Sequence, residues 1–111
     1  TTTPTVITTS GATGLTAAQS GSFVNVAGAH AVTLPPAAAG LHFTISAATA
    51  YTGTLTASAG DSVLVGGTSI AAGDPMEGKF NGATLQLWAI DATTWRTQND
   101  YDGTQAGWGA V

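Results

Sequence analysis

The sequence lacks cysteine altogether, and charged side chains are scarce. Without cysteine there can be no disulfide, no thiol catalysis and no cysteine-based zinc site. Only 7% of the residues are charged, where about a quarter is typical of globular domains. Lys79 and Arg96 are the two basic residues, and the net charge is −4. So few cations argue against binding to nucleic acid or to an anionic membrane surface.

Long apolar segments are also missing. No run of roughly 18 apolar residues occurs, so we expect no transmembrane helix. No charged segment followed by an apolar one opens the chain, so we expect no signal peptide in this form. The chain starts at Thr1 and not at methionine, which is compatible with trimming of a methionine or with cleavage.

The apolar residues that are present are mostly small. Hydrophobic residues make up 43% of the 111 residues, but many of them are alanine. A chain of this length has little surface to bury even with large side chains. We therefore expect part of its stability to come from packing against copies of itself or against a partner surface.

Alternation of apolar and polar residues predicts strands along most of the chain. The stretches with this pattern are 23–26, 31–34, 41–46, 54–56, 63–65, 84–90 and 95–97. Gly66-Gly67 and Asn81-Gly82 are typical of two-residue hairpin turns, and 91–94 is typical of a longer hairpin connection. The segment Pro35-Pro36-Ala37-Ala38-Ala39-Gly40 ends one strand and reverses the chain into the next. We predict an all-β fold, a compact antiparallel β-sandwich or a β-barrel-like domain.

The two ends differ in composition from the middle. Residues 1–13 are predicted to form an extended N-terminal arm, 14–100 the β domain, and 101–111 a glycine-rich C-terminal tail. Trp108 lies in that tail, where it cannot be buried by local contacts alone. It must dock on its own domain, dock on another subunit or stay exposed.

Candidate sites for chemistry are few. His30 and His42 are the only histidines, and the sequence places no catalytic partner beside either. The acidic residues mostly occupy turn-like positions, so no paired-carboxylate cleft is indicated. Asp100 and Asp102 resemble the start of a calcium loop, but the distal glutamate of such a loop is absent, so an acidic turn is favoured. We therefore expect no enzyme activity, no cofactor and no metal site.

Aromatic residues offer one further candidate site. Trp88 and Trp95 fall in consecutive strands of one predicted hairpin and could form a cross-strand pair that binds glycan. The more conservative interpretation is that they fill a small core or a subunit interface.

The order of the motifs resembles that of tailed-phage virion proteins. The segments "GLTAAQSGSFVNV", "AVTLPPAAAGLHFTI", "GTLTASAGDSVLVGG" and "GATLQLWAIDATTWRTQ" follow one another between residues 14 and 98. This succession resembles head decoration proteins, head fibres and tail-fibre segments. The resemblance implies a structural module of the virion, usually trimeric and without catalytic residues. A receptor-binding fibre would be expected to carry a long shaft or a tip domain beside such a module, and on this ground we expect a small decoration protein.

The resulting expectation is a homotrimeric capsid decoration (cement) protein. It would be made in the host cytoplasm, lie on the outer capsid surface of the virion, bind the major capsid protein and stabilise the shell by mass action. The candidate interface residues lie at the two ends of the chain: Thr1, Thr2, Thr3, Pro4, Val6, Ile7 and Trp108. The alternatives are a receptor- or glycan-binding fibre or spike module that uses Trp88 and Trp95, and a glycan hydrolase.

Overall fold

Twelve short strands carry the alternating pattern, and the only helix between residues 5 and 111 is a single 3₁₀ turn, Ala17–Gln19. A computed structural model describes residues 5–111. The strands are β1 (Val6–Thr8), β2 (Thr13–Gly14), β3 (Phe23–Val26), β4 (Ala31–Thr33), β5 (His42–Ala47), β6 (Thr54–Thr56), β7 (Ser62–Val65), β8 (Thr68–Ala71), β9 (Met76–Gly78), β10 (Thr84–Ala89), β11 (Thr94–Asn99) and β12 (Trp108–Ala110).

The strands form two sheets packed face to face, so the expected all-β, sandwich-like domain is confirmed. The larger sheet has seven strands in the order β1-β3-β5-β10-β11-β7-β8, and the smaller has five in the order β12-β9-β6-β4-β2. We refer to the side of the larger sheet that points away from the smaller sheet as the outer face.

Both sheets contain parallel and antiparallel pairs, which corrects the expectation of antiparallel pairing. In the first half of the chain, consecutive strands alternate between the sheets, so that β1, β3 and β5 fall in one and β2, β4 and β6 in the other. Each strand that rejoins a sheet runs in the same direction as the previous strand of that sheet. The neighbouring strands are therefore parallel. Antiparallel hairpins occur only later, at β7–β8 and β10–β11.

The core between the sheets is made of the inward residues of both. Trp95, Trp108 and Phe43 are its largest fully buried side chains. The Phe43 and Trp95 rings are tilted, with their centroids 6.1 Å apart. Gly78 lets the sheets approach each other closely, because an added Cβ would lie 2.5 Å from the Cβ of Ala47. Alanine and glycine thus allow a short chain to form a closely packed core.

Two of the three predicted hairpins are confirmed. Gly66 and Gly67 both have positive φ (56° and 88°) and join β7 to β8, as a type I′ turn requires. The 91–94 connection joins β10 to β11. The Asn81-Gly82 hairpin is wrong, because β9 belongs to the smaller sheet and β10 to the larger. That turn carries the chain from one sheet to the other.

The proline-alanine connector also passes between the sheets, from β4 to β5. Its middle is fixed by Asp61, whose buried carboxylate accepts a hydrogen bond from the Ala37 backbone N–H at 2.8 Å. Gly40 then turns the chain with a φ of 96°.

The predicted arm and tail contribute strands to the sandwich. Val6 and Ile7 lie in β1, which pairs with β3 of the same chain. The predicted boundaries at residues 13 and 101 thus do not separate tails from the domain, since β12 lies in the smaller sheet. Thr1, Thr2, Thr3 and Pro4 lie outside the described residues.

Candidate functional site

The outer face of the larger sheet is the broadest surface on which functional side chains can gather. Its outward residues include Phe23, Leu64 and Trp88 among threonine, serine and glutamine side chains. Arg96 is the one charged residue that the seven strands place on it. A broad face with a single charge is unusual, because solvated protein surfaces normally carry many Lys and Glu side chains.

Trp88 is the centre of this face. It pairs with His42 of β5 on one side and with Arg96 of β11 on the other, and Arg96 in turn pairs with Leu64 of β7. We call these four residues the Trp88 row. Trp88 is 41% exposed, and Ile90, two residues further along the same side of the chain, is 44% exposed. The row therefore presents an indole ring between an imidazole and a guanidinium.

A polar depression lies beside the Trp88 row. It has a volume of about 230 Å³, and its lining residues are Thr84, Gln86, Gln98, Asn99 and Asp100. Gln86 lies two residues before Trp88 on the same face and pairs directly with Gln98. The amide groups of these glutamines can donate and accept hydrogen bonds next to the exposed ring.

Trp95 cannot contribute to this surface, which corrects the predicted pair of tryptophans. It pairs with Ala89 and faces the core with no exposed surface. Its indole N–H has no hydrogen-bond partner among the described residues. The predicted glycan pair is therefore reduced to Trp88 alone.

Trp108 is likewise placed in the core, which corrects its predicted role as an anchor in a partner's pocket. It is 1% exposed, and its indole N–H donates a hydrogen bond of 2.9 Å to the Ala83 carbonyl. The sequence left three placements open for Trp108, and the structure shows that it docks on its own domain. Val6, by contrast, is 63% exposed at the edge of the larger sheet.

The acidic candidates are used locally in turns. The Asp102 carboxylate accepts hydrogen bonds from the backbone N–H groups of Thr104 and Gln105. The bond from Gln105, followed by that from Thr104, lowers the pKa of Asp102. Asp100 accepts a bond from the Tyr101 N–H. Within residues 5–111, no three histidine or acidic side chains come together in a way that could hold a metal ion.

The sequence did not identify the partners of Trp88. In an antiparallel hairpin the residue numbers of facing pairs have a constant sum, which here matches Trp88 with Arg96 and Ala89 with Trp95. A register that faces Trp88 with Trp95 differs by one residue and would turn one whole strand over. A connection of 91–94 would face Ile90 with Trp95 and Trp88 with Thr97. The observed connection is one residue shorter, because Thr94 already bonds Ile90, and this one-residue difference is why the sequence did not locate Arg96 beside Trp88.

Comparisons with known proteins add no identification to this geometry. No protein-family model, curated protein or solved structure matches the chain. No helix in the part that the structure describes, residues 5–111, is long and apolar enough to cross a membrane.

Proposed function

We propose that the chain is a non-enzymatic decoration (cement) protein of a tailed-phage capsid. It binds as a homotrimer to the major capsid protein on the outside of the shell. The observation that carries the proposal is the outer face, where the seven strands present one charged side chain, Arg96. A face with exposed Trp88 and Ile90 and almost no charge can be desolvated against another protein at little electrostatic cost. The motif order between residues 14 and 98 supplies the virion context.

In this proposal the action is mechanical. A protein that binds the assembled lattice and not the free capsid subunit shifts the equilibrium towards the shell by mass action. Trp88 is the natural centre of the contact, because tryptophan is enriched among the residues that dominate binding energies. Arg96 and His42 on either side of it supply hydrogen-bond donors to the contact.

Cosedimentation with empty shells tests this function. The shells are assembled from the major capsid protein encoded in the same genome, with unassembled capsid protein as the comparison. We expect the chain to sediment with the shells, to ignore the unassembled subunit and to raise the temperature at which the shells open. Trp88→Ala should weaken binding at least about tenfold, as expected for a central tryptophan.

Tyr51→Ala is the matched control, because Tyr51 is an aromatic residue that is 59% exposed and lies outside the larger sheet. It should bind shells as the parent does. Equal binding to shells and to free subunits, or equal losses for the two variants, would contradict the proposal.

A second candidate function, glycan binding by a fibre or spike module, is favoured by the surroundings of Trp88. Sugars stack on exposed indole rings, and Gln86 and Gln98 lie beside the ring to bond sugar hydroxyls. A panel of immobilised neutral and acidic oligosaccharides tests it, with Trp88→Ala and Gln98→Ala expected to lose binding. Tyr51→Ala is again the control. Trp95→Ala is unsuitable here, because it would open the core.

A further inference from the structure

The larger sheet ends in two strands with free edges. Its terminal strands are β1 and β8, and those of the smaller sheet are β2 and β12. Unpaired edges are sites at which another chain can add a strand, and proteins usually blunt them. The four edges of this sandwich differ in how well side chains or short strand length protect their backbone groups.

The edge of β12 is covered by side chains. The Asn99 amide accepts a bond from the Trp108 N–H at 3.0 Å and donates one to the Trp108 carbonyl at 2.8 Å. The Lys79 ammonium group donates to the Ala110 carbonyl at 2.8 Å. β2 is only two residues long. Neither edge of the smaller sheet therefore offers a continuous run of free backbone groups.

The edge of β8 has no such cover. Val65 and Thr68 close the two-residue turn, and Ala72 donates to the Asp61 carbonyl further along the hairpin. In an antiparallel ladder the bonded pairs alternate, so Ser69 and Ala71 point their backbone N–H groups away from β7. These groups have no partner within residues 5–111, and Thr68–Ala71 contains neither a charged residue nor proline.

The edge of β1 offers the same pattern at the opposite end of the sheet. Phe23 donates to the Thr5 carbonyl and Thr9 donates to the Asn25 carbonyl. In the parallel ladder this places Ile7 against β3 and leaves the backbone groups of Val6 and Thr8 facing outwards. Val6–Thr8 is also uncharged. Both edges thus present two residues, spaced by two, whose outward backbone N–H groups have no partner within residues 5–111. On the β8 edge the Ala71 carbonyl accepts the Asp74 N–H at 3.1 Å.

The two edges can meet only between copies. Five strands separate β1 from β8, so the edges lie about 29 Å apart at roughly 4.8 Å per strand. An apolar groove of about 300 Å³, lined in part by Val65, Ile70 and Trp108, lies beside β8. A strand added to β8 would extend the core over this groove. In β1 the inward residue is Ile7, which packs against the core of its own chain.

We propose that β8 of one copy pairs with β1 of the next, so that the larger sheets of successive copies join edge to edge. The inference rests on the homotrimer of the proposed function and supplies its interface. The contact uses two different surfaces of the same chain, and such head-to-tail contacts close into rings when the rotation between copies allows it. Three copies close the ring in this proposal.

Proline substitutions test each edge separately. Ser69→Pro removes an outward N–H of β8 without removing a bond to β7, and Val6→Pro does the same for β1. Light scattering during gel filtration should give three times the 10.9 kDa chain mass for the parent and one chain mass for each variant. Ala110→Pro, which removes an outward N–H at the β12 edge, should remain a trimer.

Mixing the two monomeric variants tests directly whether β8 of one copy pairs with β1 of another. Ser69→Pro retains an intact β1 edge and Val6→Pro an intact β8 edge, so an equimolar mixture should form a dimer of one copy of each. Far-ultraviolet circular dichroism checks that every variant is folded. If Ser69→Pro does not fold, Val6→Pro mixed with the parent should cap the growing assembly and reduce the trimer fraction.

A monomeric parent, or a trimer that persists in a folded Val6→Pro variant, would overturn the edge pairing. Shell cosedimentation separates this failure from failure of the proposed function. A parent trimer that dissociates as described but does not bind shells would leave the edge pairing standing and remove the capsid role. A parent that binds shells as a monomer would remove the edge pairing and leave the capsid role standing.

Discussion

Asn99 takes the place of a missing neighbour strand beside β12. Its side-chain amide bonds both backbone groups of Trp108 at 3.0 and 2.8 Å, as the backbone of a paired strand would do. This contact holds β12 at the open side of the sandwich and keeps the Trp108 ring in the core. A single polar side chain thus adds to the β9 pairing and to the Ala83 contact that hold the end of the chain in the fold.

Replacing Asn99 by alanine should therefore destabilise the protein. Two hydrogen bonds are lost and two backbone groups of a buried residue lose their partners, which corresponds to about 1–3 kcal/mol in the free energy of unfolding. Urea unfolding followed by tryptophan fluorescence measures the change. Asn25→Ala is the control, because the Asn25 side chain makes no hydrogen bond within residues 5–111, and its effect should stay within about 0.5 kcal/mol.

Asp91 gives the β10–β11 connection a pH dependence. Its carboxylate accepts a backbone hydrogen bond from Thr93, which together with the bond from Thr94 lowers the pKa of Asp91 from its ordinary value of 3.8. Because folding lowers this pKa, the carboxylate stabilises the fold above pH 3.8. The contribution disappears as the pH falls through the lower folded value.

The thermal midpoint of Asp91→Asn should accordingly lie below that of the parent at pH 7 and approach it near pH 2. Differential scanning calorimetry at a series of pH values measures this difference. Asp74→Asn serves as the reference, since the Asp74 side chain makes no hydrogen bond within residues 5–111. A difference of the same size at both pH values would show that Asp91 acts without its charge.

At the scale of the elements, the sequence identified strands better than it identified their partners. All seven alternating stretches contain strands, because the period of two is a local property of the chain. Asn81-Gly82 has the composition of a hairpin turn, but Met76–Gly78 and Thr84–Ala89 belong to different sheets. Turn composition reports local backbone conformation, and it does not report which sheet the next strand joins.

The connector between β4 and β5 depends on one long-range contact that no local pattern indicates. Asp61, immediately before β7, accepts the Ala37 N–H at 2.8 Å, and both residues are buried. Asp61→Ala would leave that N–H without a partner, and we expect a loss of about 1–3 kcal/mol in the free energy of unfolding. Chemical denaturation measures it. Asp61→Asn retains a carbonyl acceptor and should recover much of the loss, whereas equal losses would show that the contact is unimportant.

For the whole molecule, composition indicated the surface better than it indicated the ends. Charged residues are scarce in the sequence, and the outer face accordingly carries Arg96 as its one charge. The sequence assigns the C-terminal tail to a partner because Trp108 stands among glycines, where local contacts cannot bury it. Its burial depends on Asn99 and on the Ala83 carbonyl, which are distant in sequence and carry no signal beside it.

The association of copies should be nearly independent of salt. Neither Val6–Thr8 nor Thr68–Ala71 contains a charged residue, so screening has no ion pair to weaken across the proposed junction. We expect the dissociation constant from sedimentation equilibrium to change less than about twofold between 50 and 500 mM NaCl, concentrations that span the screening range. A tenfold change would indicate an interface that includes Arg96 or the acidic turns.

The alternation of the early strands between the two sheets has a consequence for folding. From β1 to β6 no strand pairs with its neighbour in sequence, so each pairing must close a loop that contains another strand. Loop closure of this kind slows folding in proteins dominated by non-local contacts. The β7–β8 and β10–β11 hairpins are local and can form first. During synthesis the N-terminal half, whose pairings are all non-local, therefore leaves the ribosome before the two local hairpins.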